Sequence, residues 1–291
     1  MKGIVVGNIS NLYYVEINDQ IYEATARGKF KKDNVSPVVG DNVELEILDD
    51  DKKIAIINEI CQRYTYIKRP KLSNISQLVF VLSTKNPKPD LLMLDKQIAY
   101  AEYLKIKPII VINKIDLSDN YKVIEEIYKS VGYEVLLTVA KENKGIDKLK
   151  EILNCKISAF SGNSGVGKST IINALFGTNM TQEGEISKKN KRGKNTTTSV
   201  ELYKIDNNSY IADTPGFSNF DISEIESKEL QNYFIEFRNY IPNCEFVGCT
   251  HIKEENCGIK EALATNNITQ DRYDRFCTIY NEIKEKEERR W

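Results

Sequence analysis

The chain has 291 residues, which allows two or three domains because one hydrophobic core rarely grows far beyond an ordinary domain. Its 41 basic and 42 acidic residues leave a net charge of −1, which excludes a uniformly basic nucleic-acid-binding protein and leaves only local basic patches. No apolar run reaches the roughly 18 residues that span a bilayer, and the N-terminus lacks a signal-peptide layout, so we expect a cytoplasmic protein with no membrane partner.

Residues 1–64 contain five short β-type runs and no convincing helix. Alternation of apolar and polar residues is clearest at Val43, Leu45 and Ile47, and Asn18-Asp19 and Gly40-Asp41 supply turn signals. Five short strands favour a small closed barrel of the OB-fold type, with a small β-domain of another function as the alternative.

Residues 65–222 change character, because apolar runs such as "QLVFVLS" and "KPIIVINKID" now alternate with helical patterns. Such alternation predicts an α/β domain, a mainly parallel sheet with helices on both faces. A sheet of this kind is a candidate nucleotide-binding domain by architecture alone.

A phosphate-binding loop is predicted at 162–169, where "GNSGVGKS" fits G-x-x-x-x-G-K-[ST] between an apolar strand and a helical segment. Backbone N–H groups of such a loop, with the helix N-terminus behind it, bind phosphate oxygens. We expect Lys168 to reach the β- and γ-phosphates and Ser169 to bind Mg²⁺. The alternative is a chance glycine-rich turn. The nucleotide contacts predicted here are Gly162, Asn163, Ser164, Gly165, Val166, Gly167, Lys168, Ser169 and Thr170.

Two switch segments are predicted downstream. "IADTPG" places Asp213 at a strand end and Gly216 three residues later, as in the D-x-x-G loop of GTPases. Asp213 is expected to hold Mg²⁺ through water, and the Gly216 amide to sense the γ-phosphate. The polar loop "KKNKRGKNTTTS" before it offers Thr198, or as second choice Thr197, to complete the Mg²⁺ shell, although an ordinary solvated loop would suit these residues too.

A guanine-reading motif is predicted at the end of "PIIVI". The Asp116 carboxylate can accept hydrogen bonds from guanine N1–H and N2–H₂, which adenine cannot supply. Asn113 is expected to contact the base and its loop, and the Lys114 stem to cover the ring. The Ala140 amide and Lys141 are expected to support guanine from a second loop. This motif precedes the phosphate loop, an order produced by cutting a GTPase sheet before its fourth strand and joining the old ends.

The C-terminal unit, residues 223–291, is predicted to be mostly helical with one structural zinc ion. "CEFVGCTHIKEENC" offers Cys244, Cys249, His251 and Cys257, enough for a tetrahedral site, with packing or a catalytic role as the alternative. The other cysteines are expected to be buried apolar side chains, and the last helix should pack through an apolar stripe. Those residues are Cys61, Cys155 and Cys277, and Tyr273, Phe276, Ile279, Tyr280 and Ile283.

The combination of barrel, permuted GTPase motifs and C-x4-C-x-H-x5-C resembles the RsgA (YjeQ) family of bacterial small-subunit biogenesis GTPases. "GKFKKDNVSPVVGDNVE" and "RGKNTTTSVELY" extend the resemblance over nearly the whole chain. It implies a GTPase that binds GTP and GDP, engages the maturing 30S subunit and its 16S rRNA, checks the decoding region and leaves on hydrolysis. Permuted architecture is implied as well, and we expect a monomer.

The residues give modest independent support for an RNA partner. Phosphate contacts would come from basic clusters on the barrel and in the switch loop, unless these are simply solvated, and barrel tyrosines could stack on bases. The clusters are Arg27, Lys29, Lys31 and Lys32, then Lys188, Lys189, Lys191, Arg192 and Lys194; the tyrosines are Tyr13, Tyr14 and Tyr22.

One departure concerns catalysis. Phe217 follows Gly216, so the glutamine that orients water in many GTPases is absent. Asn195 stands where the resembling family usually has a histidine, and asparagine cannot accept a proton as imidazole does. We therefore expect slow intrinsic hydrolysis, organised by the ribosome. The alternatives are a permuted GTPase serving the large subunit and a zinc-containing RNA-binding scaffold with structural nucleotide.

Overall fold

A computed structural model describes residues 1–28, 30, 35–177, 200–206, 208–213 and 222–289, and the side chains of Asp213 and Ser223 are outside the description. Several predicted residues therefore lie outside the described part of the chain. They are Lys29, Lys31, Lys32, Lys188, Lys189, Lys191, Arg192, Lys194, Asn195, Thr197, Thr198, Gly216 and Phe217.

The N-terminal unit is a five-stranded closed barrel, as predicted. Its strands are β1 Lys2–Ile9, β2 Leu12–Ile17, β3 Gln20–Ala26, β4 Asn42–Asp49 and β5 Ile54–Ile60. They pair in the order β1-β2-β3-β5-β4, and β4 returns to β1 to close the barrel. β3 and β5 run parallel, whereas the other barrel pairs are antiparallel.

The barrel core corrects the expectation for the stacking tyrosines. Tyr13 is 6% exposed and Tyr22 is 5% exposed, so both rings fill the barrel and are closed to a base. Tyr13 shares the inward face of β2 with Val15 and Ile17, because alternate strand residues point to the same side. Only Tyr14 of the three is partly exposed.

A short hairpin joins the barrel to the next unit. Its strands, β6 Tyr66–Lys68 and β7 Lys71–Ser73, pair antiparallel. Ile67 and Leu72 point inward and are fully buried, and Val39 of the barrel segment forms a bridge to Leu72. The hairpin thus seals the junction between the two units.

In its described residues, the central unit is a six-stranded sheet with helices on both faces. The strands are β8 Gln77–Ser83, β9 Lys107–Asn113, β10 Glu134–Thr138, β11 Ile157–Ser161, β12 Glu201–Asp206 and β13 Ser209–Asp213. The helices are α1 Leu91–Tyr103, α2 Tyr121–Val131, α3 Ile146–Leu153 and α4 Lys168–Phe176. The spatial order is β10-β9-β8-β11-β13-β12, with the first five strands parallel and β12 antiparallel.

The strand order shows the permutation directly. β11, the strand before the phosphate loop, lies at the sheet centre between β8 and β13, although three strands of this sheet precede it in the chain. β8 is buried along its whole length, which explains its uninterrupted apolar sequence.

The sheet does not stop at the edge of the central unit, a feature that the sequence pattern did not predict. β12 pairs with β1 of the barrel through Gly7 and Glu201, so the hydrogen-bonded sheet continues into the barrel. Lys204 of β12 adds ion pairs to Glu16 at 2.5 Å and to Asp19. The domain boundaries at residues 64 and 222 stay predictions.

The C-terminal unit contains α5 Gly258–Ala264 and α6 Gln270–Glu288. The unit is mostly helical, as predicted, but its first part consists of short 3-10 helices, at Ile222–Glu224, Ser227–Tyr233, Ile235–Phe237 and Ile241–Asn243. Phe234 between two of them is extended and fully buried, so the chain bends there around the core. The apolar stripe of α6 packs into the same core, as predicted.

The remaining cysteines are less buried than expected. Cys155 is exposed after the end of α3, where its φ is +55°, and Cys61 and Cys277 are half-buried.

Among the described residues, each helix is too short or too polar to span a bilayer.

α1 lies between the central sheet and the C-terminal unit. Leu94 and Ile98 pack on the sheet, whereas Ala99 and Tyr100 pack on the C-terminal core. Asp95 accepts hydrogen bonds from Arg272 at 2.5 Å, from Tyr128 at 2.6 Å and from Arg275. Arg272 also pairs with Glu236 at 2.7 and 3.1 Å. This network holds α6 against α1.

Candidate nucleotide and metal sites

The phosphate loop lies where β11 ends and α4 begins, the geometry that the motif requires. Gly162, Gly165 and Gly167 all have positive φ, which side chains with a Cβ adopt only with strain. A Cβ at Gly162 would lie 2.3 Å from the Val81 carbonyl oxygen, and one at Gly167 would lie 2.3 Å from Asn113 Nδ2. The glycines therefore permit both the curvature of the loop and its contact with neighbouring strands.

Lys168 lies over the loop. Its ammonium donates hydrogen bonds to the carbonyl oxygens of Gly162 and, at 3.1 Å, of Asn163. Partial burial lowers the pKa of Lys168. Since a phosphate anion favours the charged amine, the position suits a phosphate-binding lysine. Ser169 is exposed on the first turn of α4, and Thr170 is half-buried behind it.

Asn113 connects three parts of the site through a buried side chain. Its Nδ2 donates to the Val166 carbonyl oxygen at 2.9 Å, which ties β9 to the phosphate loop. Its Oδ1 accepts from Thr138 Oγ1 at 3.0 Å and from the Ala140 N–H at 3.1 Å. The residue predicted to read the base is thus also the brace that sets the distance between the two predicted binding loops.

The Ala140 N–H is donated to Asn113 in this structure, rather than open to a base as the sequence suggested. Lys141, next in the chain, is exposed. The second loop is therefore held in register with the first before any nucleotide contact.

Lys114 forms a second brace. It has a positive φ of 58°, and its ammonium donates to the carbonyl oxygens of Asn86 at 2.6 Å and Gly165 at 2.7 Å. Its own carbonyl oxygen accepts from Thr84 Oγ1 at 2.5 Å. Thr84 and Asn86, which follow β8 and contact Lys114, were not predicted from the sequence. The available signal was their position at the C-terminal edge of a parallel strand.

Asp116 is the exposed acceptor of the motif. It lies in a short 3-10 turn, Ile115–Leu117, directly after Lys114. The described residues give its carboxylate no hydrogen-bond partner or ion pair. The oxygens can accept from a base bound beside the phosphate loop, as the guanine prediction requires.

The predicted Mg²⁺ aspartate ends the neighbouring strand. Asp213 closes β13, which pairs with β11 on one side and β12 on the other. The backbone of Asp213 therefore ends at the same sheet edge as the phosphate loop.

Three cysteines and the single histidine of the chain converge at a second site. The donor atoms of Cys244, Cys249, His251 and Cys257 all lie within 4.8 Å of one another. His251 Nδ1 is 3.6 Å from Cys244 Sγ and 3.3 Å from Cys257 Sγ, and the two sulfurs are 4.0 Å apart. A tetrahedral ion at the usual Zn–S and Zn–N lengths needs separations of about 3.5 to 3.8 Å between donors. The four residues could hold a metal ion.

Gln231 fixes the orientation of the histidine ring. Its Oε1 lies 2.7 Å from His251 Nε2 and can accept a hydrogen bond from a proton on that nitrogen, which leaves the Nδ1 lone pair directed at the sulfurs. The His251 carbonyl oxygen accepts from Tyr273 Oη at 2.6 Å, which anchors the loop to α6. Gln231 is 20 residues away in the chain and was missed by sequence reasoning, which had no signal for it.

Burial shapes the protonation of this cluster. It raises the pKa of Cys249 to about 12 and lowers that of His251. Buried thiols and a buried imidazole without a cation thus favour their neutral forms. A bound divalent cation would reverse the preference for the thiols, because the thiolate is the form that binds metal.

Fold and motifs together define a circularly permuted P-loop GTPase. A sequence profile described as "RsgA N-terminal domain" matches residues 2–57, and one described as "RsgA GTPase" matches residues 60–223. The chain belongs to the RsgA GTPase family.

Curated relatives match over nearly the full length. "Small ribosomal subunit biogenesis GTPase RsgA" from Clostridium novyi is 41% identical and covers 100% of both chains. The protein of the same name from Alkaliphilus metalliredigens is 39% identical, covering 97% of this chain and 98% of its own.

Solved structures agree. The chain is similar to YjeQ from Thermotoga maritima, with a TM-score of 0.83 and 36% identity over 97% of this chain and 98% of that one. It is also similar to YloQ, "a circularly permuted GTPase", with a TM-score of 0.81 and 30% identity over 98% and 95%. The resemblance inferred from the motifs and the permuted order are confirmed.

Proposed function

We propose that this GTPase acts in the biogenesis of the small ribosomal subunit in the cytoplasm, binding the maturing particle and its 16S rRNA and leaving after GTP hydrolysis. The supporting observation is the full-length match to relatives named for small-subunit biogenesis, combined with a braced phosphate loop and base reader. The names of these relatives also favour the small subunit over the large.

The nucleotide roles in this proposal are supported by the geometry of the two braced loops. The amides of 162–167 and the Lys168 ammonium bind the phosphates, with Ser169 and Thr170 at the helix start. Asp116 reads guanine, and Asn113 and Lys114 hold the base loop against the phosphate loop. Mg²⁺ bound by Ser169, Asp213 and Thr198 would neutralise developing phosphate charge. The protein acts as a monomer.

In this proposal the three cysteines and the histidine form a structural zinc site. Its donor set, three thiols and an imidazole, matches a closed zinc site with no open position for a substrate. Zinc would stabilise the loop that anchors to α6 through Tyr273 and thereby the C-terminal unit.

Lys168→Ala tests the nucleotide assignment. GTP hydrolysis should fall by at least about a hundredfold, because the substitution removes the positively charged ammonium that would donate hydrogen bonds to the phosphates. Lys148→Ala, which removes an exposed lysine of α3, is the matched control and should hydrolyse GTP normally. Equal turnover in the two variants would contradict the assignment.

Asp116→Asn tests the base assignment separately. The amide can no longer accept from both guanine N–H groups, so discrimination against xanthosine nucleotides should relax. Competition binding of GTP and XTP measures this directly, and an unchanged preference for GTP would refute the role of Asp116.

A further inference from the structure

The junction between the barrel and the central sheet carries an exposed surface that combines aromatic and basic residues. We call it the junction surface and define it by Tyr64, Tyr66, Arg69 and Lys71 on and beside the β6–β7 hairpin. Tyr64 is 84% exposed and Tyr66 is 37% exposed, whereas two of the three barrel tyrosines predicted to stack on bases are buried. Exposed tyrosines of this kind are candidate stacking platforms.

The backbone beneath Tyr64 is held in place. The Tyr64 N–H donates to Asn74 Oδ1 at 2.9 Å, and Asn74 Nδ2 donates to the Gly40 carbonyl oxygen at 2.9 Å. Thr65 Oγ1 donates to the Ile75 carbonyl oxygen at 3.0 Å. The exposed ring therefore projects from an anchored segment, so little backbone freedom would be lost when a ligand stacks on it.

Tyr66 is supported by a buried ionic anchor. The Arg63 guanidinium lies 4.9 Å from the Tyr66 ring centroid and donates to both oxygens of Asp41, at 2.7 and 2.8 Å. Asp41 is fully buried and also accepts from Ser73 Oγ at 2.6 Å. A ring backed by a fixed guanidinium is pre-organised for stacking.

The charges of the hairpin favour an anion. Lys68 pairs with Glu224 at 2.9 Å, so its charge is partly neutralised. Arg69 and Lys71 are exposed, and neither has an ion pair among the residues that the structure describes. Lys71 lies on the same hairpin as Tyr66, and Arg69 lies in its turn. Two exposed cations with one exposed and one partly exposed ring match the alternating phosphates and bases of a single strand.

We propose that the junction surface binds single-stranded RNA, with Tyr64 and Tyr66 stacking on bases and Arg69 and Lys71 contacting phosphates. This inference rests on the proposed function, because it assigns a further contact surface to the same RNA partner. The strand would run along the hairpin, between the barrel and the central sheet.

Binding of a labelled oligouridylate of about twelve nucleotides tests the stacking, a length within the usual range for such proteins. Tyr64→Ala and Tyr66→Ala should each weaken binding by about fivefold or more, since each removes one stacking platform. Tyr64→Phe and Tyr66→Phe keep the ring and should bind within about twofold of the unmodified protein. Because the Tyr64 side chain is almost wholly exposed, Tyr64→Ala should leave folding intact.

The salt dependence of binding tests the phosphate contacts. The Arg69→Ala/Lys71→Ala variant should lower the slope of log K against log salt by about 1.4 in magnitude, from about 0.7 per phosphate contact on a single strand. Lys148→Ala/Lys150→Ala is the matched control, because α3 packs on the opposite face of the sheet from the hairpin. Its slope should be unchanged.

The outcomes separate this inference from the proposed function. If all the junction variants bind RNA with unmodified affinity and slope while the unmodified protein binds well, only the inference is overturned. If the variants lose affinity for small subunits but not for the oligouridylate, the surface contacts something other than single-stranded RNA and the inference is likewise overturned. Failure of the unmodified protein to bind the oligouridylate would overturn the inference alone, whereas failure to bind small subunits would overturn both.

Discussion

Arg272→Ala should strongly destabilise the protein, because this arginine is the centre of the buried network between α1 and the C-terminal unit. Its side chain is 1% exposed, and it donates once to Asp95 and twice to Glu236. Its guanidinium also lies 4.6 Å from the Phe234 ring centroid. Truncation would remove the arginine that pairs with Glu236, and would leave Asp95 with the Tyr128 hydroxyl and the Arg275 guanidinium.

The expected loss is about 3 to 5 kcal/mol, the usual cost of leaving a buried charge without its partner. Arg238→Ala is the matched control, because Arg238 pairs with Glu102 at the same interface but its side chain is 52% exposed. This exposed pair should contribute at most about 1 kcal/mol. Urea unfolding followed by circular dichroism should show a lower midpoint for Arg272→Ala at an unchanged slope.

A second substitution tests the cause of that loss. Glu236→Gln added to Arg272→Ala should recover part of the stability, because it removes the carboxylate that the first change left unpaired. If Arg272→Ala costs no more than Arg238→Ala, or if Glu236→Gln adds its own full loss to the double variant, the network does not hold the interface in the way described.

Two further substitutions probe the nucleotide and metal sites. Gly167→Ala should weaken GTP binding by at least about tenfold, because the new Cβ would displace Asn113 and break its buried hydrogen bonds. Gly132→Ala is the control, since Gly132 has a similar positive φ but open space around it. This control variant should bind GTP normally in titration calorimetry. Gln231→Leu should lower zinc affinity by about 10- to 100-fold, because His251 loses the acceptor that orients its ring. Chelator competition measures this affinity, and an unchanged value would refute the orienting role of Gln231.

Local patterns predicted most of the fold. Burial leaves a repeat of two residues in strands with one buried face, which predicted the five barrel strands. It leaves near-continuous apolar runs in parallel strands, which predicted the alternating strands and helices of the central unit. The permutation was readable too, since the order of two motifs in the chain requires a particular order of strands. Sheet order bears this out, with β11 at the centre.

Contacts between distant residues were not predictable in the same way. Gln231 reaches His251 across 20 residues, and Asn113 braces Val166 across 53 residues, distances at which no local repeat carries information. The prediction that Tyr13 stacks on bases was wrong for a related reason. A tyrosine on a strand can face either the core or the solvent, and its direction is set only when the barrel closes.

The measurement that tests the central claim most directly is GTP turnover by the purified protein, with and without small ribosomal subunits. Because Phe217 follows Gly216 and Asn195 stands before the threonine run, slow intrinsic hydrolysis is expected, with a rise of at least about tenfold on adding subunits, well below the gain that a partner can supply in other GTPases. Lys168→Ala should show neither activity. Equal turnover with and without subunits would contradict the proposal that this GTPase acts on the small subunit.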